Sequence, residues 1–134
     1  MGAWGEGSFE NDDAGDWAYE LCESNDLLVL SNGLRRSIFE YLFLQAPKAS
    51  VIVAAAETIA SAKTGDYTRL PNDVQAWVRQ NNSLNFAELK KPALSALRAV
   101  MRINCELRML WYEDKEMGDQ WASNISGLIK QLES

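Results

Sequence analysis

The sequence predicts an all-α domain, and three observations carry that prediction. Apolar residues recur at i, i+3, i+4 and i+7 through most of the chain, the spacing that lines one face of a helix. The periodic stretches are divided by helix punctuation: Asn11, Ala46-Pro47, Gly65, Leu70-Pro71, Asn81-Asn82-Ser83 and Asn85. No stretch reads as a strand. At 134 residues the chain is long enough to bury a real core as one domain. The expected architecture is a compact bundle of six or seven helices over residues 1–134, with a glycine-rich N-terminal loop.

The loop is the most distinctive stretch. Gly2, Gly5 and Gly7 are too dense for a helix or a regular strand. Glycine is favoured where the backbone needs positive φ or a close approach. A tight loop is therefore expected to press Trp4 and Phe9 onto the body, tying down a terminus that would otherwise fray. Asn11 is placed to cap the first helix, with Asp12, Asp13 and Asp16 in its first turns, where carboxylates suit the positive end of the helix dipole. That helix is predicted from about Asp12 to Ser24. Ala14, Trp17, Ala18, Leu21 and Cys22 form its buried stripe. Asp12, Asp13, Asp16, Glu20 and Glu23 fall on the opposite side. The dipole accounts for the three aspartates but not for Glu20 and Glu23, which sit near its negative end. The acidic face reads as a solvated surface, a docking face for a basic partner, or a set of metal ligands.

A second helical region is expected from about Leu27 to Leu44, with a break or weak point at Ser31-Asn32-Gly33. Leu34, Ile38, Tyr41 and Leu42 make its stripe, with Phe39 and Phe43 beside it. Pro47 suits the first turn of a third helix, running from about Lys48 to Lys63. Its run Val51-Ile52-Val53-Ala54-Ala55-Ala56 could be a buried strand by periodicity alone. The alanines and the continuation through Glu57-Thr58-Ile59-Ala60 favour helix, with Gly65 as its C-cap. A short fourth helix follows from Pro71 to about Gln80 and buries Val74, Trp77 and Val78. Asn85 and Glu88 have capping-box spacing. Pro92 should either kink the helix that follows or begin a new one after a short turn. A change of stripe phase predicts a break near Ile103-Asn104. Glu113 to Gly118 is expected as the last polar loop, with Asp119 capping a final helix that buries Trp121, Ile125, Leu128, Ile129 and Leu132.

The opening run resembles the signature of a bacterial domain-of-unknown-function family, the one numbered forty-two fifty-nine. That signature runs roughly Gly-x-Trp-Gly-x-Gly-x-Phe-x-Asn-Asp-x-Ala-x-Asp-Trp. Gly2, Trp4, Gly5, Gly7, Phe9, Asn11, Asp12, Ala14, Asp16 and Trp17 match it. Ala54-Ala55-Ala56-Glu57, Leu70-Pro71, Val74 to Val78 and Glu106-Leu107-Arg108 are similar to later family segments. Pro92 departs from a stretch that is usually free of proline. The resemblance implies a small, mostly helical bacterial protein and carries no activity with it.

Charge is unevenly placed. Residues 1 to 34 hold eight acids and no base, whereas the rest hold eleven acids and thirteen bases, within a net charge of −6. Phosphate would be repelled by the N-terminal face, which argues against nucleic acid there. A basic protein partner would be attracted to it. With no histidine, His-dependent triads and the common His-based metal sites are excluded. Cys22 and Cys105 read as buried small hydrophobes rather than a disulfide or a reactive thiol. No apolar run reaches membrane-span length, and no signal-peptide pattern opens the chain. A cytoplasmic location is therefore expected, with no membrane, nucleic acid or cofactor. The favoured reading is a non-catalytic protein-binding domain, with an immunity or antitoxin-like inhibitor of a basic bacterial toxin as its most specific form. Asp12, Asp13, Asp16, Glu20 and Glu23 would carry the docking. Trp4, Gly5, Gly7, Phe9, Asn11 and Trp17 would carry the structural motif. The alternatives are an enzyme, metal-dependent or carboxylate-based, built on the Asp cluster, or a structural or adaptor protein. The sequence does not specify the oligomeric state.

Overall fold

The computed structural model describes residues 5, 7–37 and 42–134. Among them, seven α-helices follow in chain order: α1 (Asp12–Cys22), α2 (Leu28–Leu34), α3 (Ala46–Thr64), α4 (Asn72–Gln80), α5 (Lys90–Val100), α6 (Glu106–Trp111) and α7 (Lys115–Glu133). Short 3-10 turns occupy Arg35–Ser37 and Phe86–Leu89. The protein is all-α, as its periodicity predicts.

The fold is built around α3. Every residue from Ala49 to Ser61 is buried. A helix that is apolar all round has no solvent face to offer, and its alanines let several neighbours approach closely. All six other helices pack against it, and the buried apolar side chains form one contiguous cluster. Pro47 sits in its first turn. Gly65 ends it in the left-handed region at φ 79°, with its N–H donating to the Ser61 carbonyl at 2.9 Å. Only glycine adopts that conformation without a steric cost.

The stretch before α3 departs from expectation. One helix from Leu27 to Leu44 is not formed, because α2 ends at Leu34 and residues 42–45 are not helical. The Leu44 N–H donates to the Asn104 carbonyl at 3.0 Å, and the Glu106 N–H donates to the Leu44 carbonyl at 2.8 Å. This is one parallel β-bridge, Leu44 to Cys105. The Asn104 side-chain amide donates to the Leu42 carbonyl at 3.0 Å, and Glu106 Oε1 accepts from the Ala46 N–H at 2.7 Å. Backbone groups that a helix would have used are thus taken by the segment ahead of α6. Leu42, placed in a buried stripe by its periodicity, is 75% exposed. Ile38, Phe39 and Tyr41 lie outside the described residues. Ser31-Asn32-Gly33 is continuous helix rather than a break. Gly33 is there for space: a Cβ would lie 3.2 Å from Val51 Cγ1 and 3.3 Å from Trp17 Nε1.

In the C-terminal half, Asn85 makes no capping bond. Its amide instead donates to Glu88 Oε1 at 3.4 Å, and a 3-10 turn forms. A new helix, α5, then begins at Lys90 with Pro92 in its first turn, where a missing N–H is tolerated. The predicted break near Ile103-Asn104 separates α5 from α6. The last helix starts a turn earlier than expected. Asp114, not Asp119, caps α7 by accepting from the Met117 N–H at 3.1 Å. Asp119 instead accepts from the Tyr112 hydroxyl at 2.9 Å and from Lys115 Nζ at 2.7 Å. Trp121, Ile125, Leu128 and Leu132 are buried as predicted, and Ile129 is half-buried. Among the described residues no helix is long and apolar enough to cross a membrane.

Candidate docking face and the loop behind it

Helix α1 is set by its cap and by its inner stripe. Asn11 is extended, and its Oδ1 accepts from the Ala14 N–H at 2.8 Å. Ala14, Trp17, Ala18 and Leu21 are buried, and Cys22 is half-buried. Phe9 packs on Trp17 with ring centroids 6.4 Å apart, and Gly33 lies close to the indole nitrogen, where a Cβ would come within 3.3 Å of it. The indole N–H is buried with no acceptor among the described residues. Such an orphan costs about 1–3 kcal/mol, which close packing of the ring must outweigh.

The outer face of α1 is as acidic as predicted. Asp12, Asp16, Glu20 and Glu23 are exposed and Asp13 is half-buried. Two features were missed. Tyr19 lies in the same row and is 74% exposed. The signal was present, since position 19 falls three after Asp16 and four before Glu23 on the polar arc. The fold also brings a base to this acidic segment. Arg36 lines a cleft of about 210 Å³ together with Asp13, Asp16, Trp17 and Glu20 of α1, and with Pro47 and Val51 of α3. Among the described residues, no group of three or more cysteines, aspartates or glutamates is placed to hold a metal.

The loop behind α1 is anchored by a residue the periodicity treated as ordinary. Glu57 is 1% exposed in the middle of α3. The buried Ser8 hydroxyl donates to its Oε1 at 2.7 Å. Arg69 Nε lies 3.4 Å from the same oxygen, and Arg69 Nη2 donates to Asn124 Oδ1 on α7. Burial pushes the Glu57 carboxyl above the usual carboxylate range. The Ser8 hydrogen bond and the Arg69 charge pull it back, and Asp66 adds to the rise. A buried charge of this kind is costly unless hydrogen-bonded and paired. The chain of contacts thus joins the loop, the central helix, the segment before α4, and α7. The available sign was a lone acid within an otherwise uncharged run from Val51 to Ala60.

Gly5 and Gly7 do not adopt positive φ, which among the described residues only Gly65 does. Glu10 folds back over them. The Gly7 N–H donates to Glu10 Oε1 at 3.0 Å, and the Glu10 N–H donates to the Gly7 carbonyl at 3.0 Å. A Cβ on Gly5 or Gly7 would sit 2.3 Å or 2.2 Å from that carboxylate, the exposed end of a flexible side chain that can shift aside. Trp4 and Gly2 lie outside the described residues. Cys105 is buried, and neither cysteine is in a disulfide. Cys105 stands in extended backbone just before α6. Burial raises both thiols, with Asp73 adding to the effect at Cys22, the opposite of an activated thiolate.

No curated protein and no solved structure matches the chain. A family model does match, over residues 2–124, so that it takes in the glycine loop, α1, the Glu57 anchor and Asn124. The chain belongs to that family, described as Domain of unknown function (DUF4259).

Proposed function

We propose that this is a non-catalytic, cytoplasmic bacterial protein-binding domain that docks a basic protein partner through the outer face of α1. The most specific form of the reading is an immunity or antitoxin-like inhibitor of a basic toxin domain. One observation carries it: Tyr19, at 74% exposure, stands within a row of carboxylates on a helix that has no base. Exposed aromatic side chains anchor interfaces at little entropic cost. Carboxylates around such an anchor speed encounter and select basic partners. Glu20 and Glu23 support the reading because helix capping does not account for them.

The test is a pulldown from the native organism at low salt, using the wild-type chain, Glu20→Gln/Glu23→Gln, and Tyr19→Ala. The expected result is a basic protein captured by the wild type and lost from both variants. The purified pair should then form a 1:1 complex whose association rate falls steeply with salt, as screened charges require. Tyr19→Ala should cost the complex about 2 kcal/mol, the size of an interface anchor. Equal capture by all three baits, or none by any, refutes docking by this face.

A further inference from the structure

Away from α1, the structure holds a cleft of about 410 Å³ between α3, the loop from Asn82, the start of α5 and the end of α7. Its volume falls in the range of small-molecule sites. Ile59, Ala62, Leu84, Phe86 and Leu132 supply apolar wall. Ile59 and Leu132 are buried at the back of it, whereas Ala62, Leu84 and Phe86 pack against the core and stay half-buried, so that part of each side chain remains open at the cleft. Phe86 is held from behind by an edge-to-face contact with Trp77, with centroids 6.1 Å apart and planes at 82°.

Two lysines line this apolar space, and they differ. Lys63 Nζ is used up: it donates to the carbonyls of Gln131 and Leu132, each at 3.0 Å, and to that of Ser134. It ties the end of α3 to the end of α7 and so builds one side of the cleft. Lys90 is half-buried, and its ammonium has no ion-pair or hydrogen-bond partner among the described residues. It opens α5, whose first turn contains Lys90 and Lys91 and no acid. The two lysines add to the partial positive charge at the N-terminal end of the helix, where the nearest acid in sequence is Glu88 in the 3-10 turn just before it. An anion seated beside Lys90 would offset that charge. A protein with net charge −6 thus keeps an unneutralised cation at the edge of its apolar cleft.

We propose that this cleft is a binding site for an amphiphilic monocarboxylate. The alkyl body lies against Ala62, Leu84 and Phe86, with Ile59 and Leu132 beneath, and the carboxylate pairs with Lys90 at the start of α5. Both halves of the ligand are matched by what lines the cleft, apolar wall for the chain and a free ammonium for the head. The proposal is independent of the docking face, since α1 contributes no residue to it.

Calorimetric titration of the full chain with octanoate, decanoate and octylammonium tests the assignment. Octanoate should bind saturably at one site. Decanoate should bind roughly fifteenfold tighter, at about fourfold for each added methylene. Octylammonium should bind at least about tenfold more weakly than octanoate, the like charge at Lys90 opposing it. Lys90→Gln should weaken octanoate about tenfold or more, and Lys91→Gln, an exposed change on the same turn, should leave affinity unchanged. Circular dichroism shows whether both variants are folded. No saturable binding of decanoate would overturn the proposal. So would octylammonium binding as tightly as octanoate, Lys90→Gln leaving affinity unchanged, or Lys91→Gln weakening it as much as Lys90→Gln.

Discussion

Replacing Glu57 separates two ways in which a buried carboxylate can hold a fold. Glu57→Ala removes a fully buried side chain from the middle of α3 and leaves the buried Ser8 hydroxyl without its acceptor. Loss of one buried methylene costs about 0.8 kcal/mol, and the orphaned hydroxyl costs about 1–3 kcal/mol. Relief of the buried charge offsets part of this. A net loss of about 2–3 kcal/mol is expected, which for a chain of this size lowers Tm by about 8–12 °C. Glu57→Gln keeps the volume and an oxygen for Ser8 but removes the charge. Because burial raises the folded-state carboxyl above its unfolded value, the folded protein holds the proton more tightly. Stability from this group is therefore fully present in acid below the ordinary carboxylate range. It is lost as pH rises through the raised folded value. Above that window Glu57→Gln should match or exceed the wild type, and its stability should fall less with pH. The assay is urea denaturation followed by tryptophan fluorescence, from below the ordinary carboxylate range up to about neutral pH, on wild type, Glu57→Gln and Glu57→Ala. If Glu57→Gln destabilises as much as Glu57→Ala near neutral pH, the charge pairing with Arg69 holds the loop and the reasoning is refuted. If Glu57→Ala costs less than about 0.5 kcal/mol, as exposed changes do, the anchor itself is refuted.

Two further substitutions test local geometry. Asn11→Ala removes the cap that accepts from the Ala14 N–H and should cost about 1 kcal/mol in denaturant unfolding without changing m. Gly118→Ala places a Cβ 2.5 Å from Tyr112 Cδ1. The ring must swing away, breaking the Tyr112–Asp119 hydrogen bond, and Tm should fall by an amount equivalent to about 1–2 kcal/mol.

The helices that were legible in the sequence are those whose signal is local. The inner stripe of α1, the Asn11 cap, the Gly65 C-cap and the restart around Pro92 each follow from residues a few positions apart. What was not legible depends on partners far along the chain. The stretch before α3 carries helical periodicity, yet Leu44 pairs with the Asn104–Glu106 backbone some sixty positions later. Asp114 outcompetes Asp119 as the α7 cap because Gly118 can lie inside the helix under the Tyr112 ring, which composition alone does not reveal. The acidic row of α1 was readable as a row. Its aromatic member, Tyr19, was passed over because a tyrosine on a polar arc is unremarkable until its exposure is known. Glu57 was read only as part of the α3 helical run and of a family-like segment, and Arg36 was counted outside the acidic segment that the fold brings it to line.

The enclosure of α3 has a consequence for how the chain is made. A ribosome releases α3 before most of what covers it, because α4, α5, α6 and α7 all come later and all pack on it. Until they arrive, a nineteen-residue helix with apolar side chains round most of its circumference has only α1 and α2 for shelter. Any pause or truncation between Gly65 and α7 therefore leaves an adhesive rod in the cell, of the kind that chaperones hold and aggregates recruit.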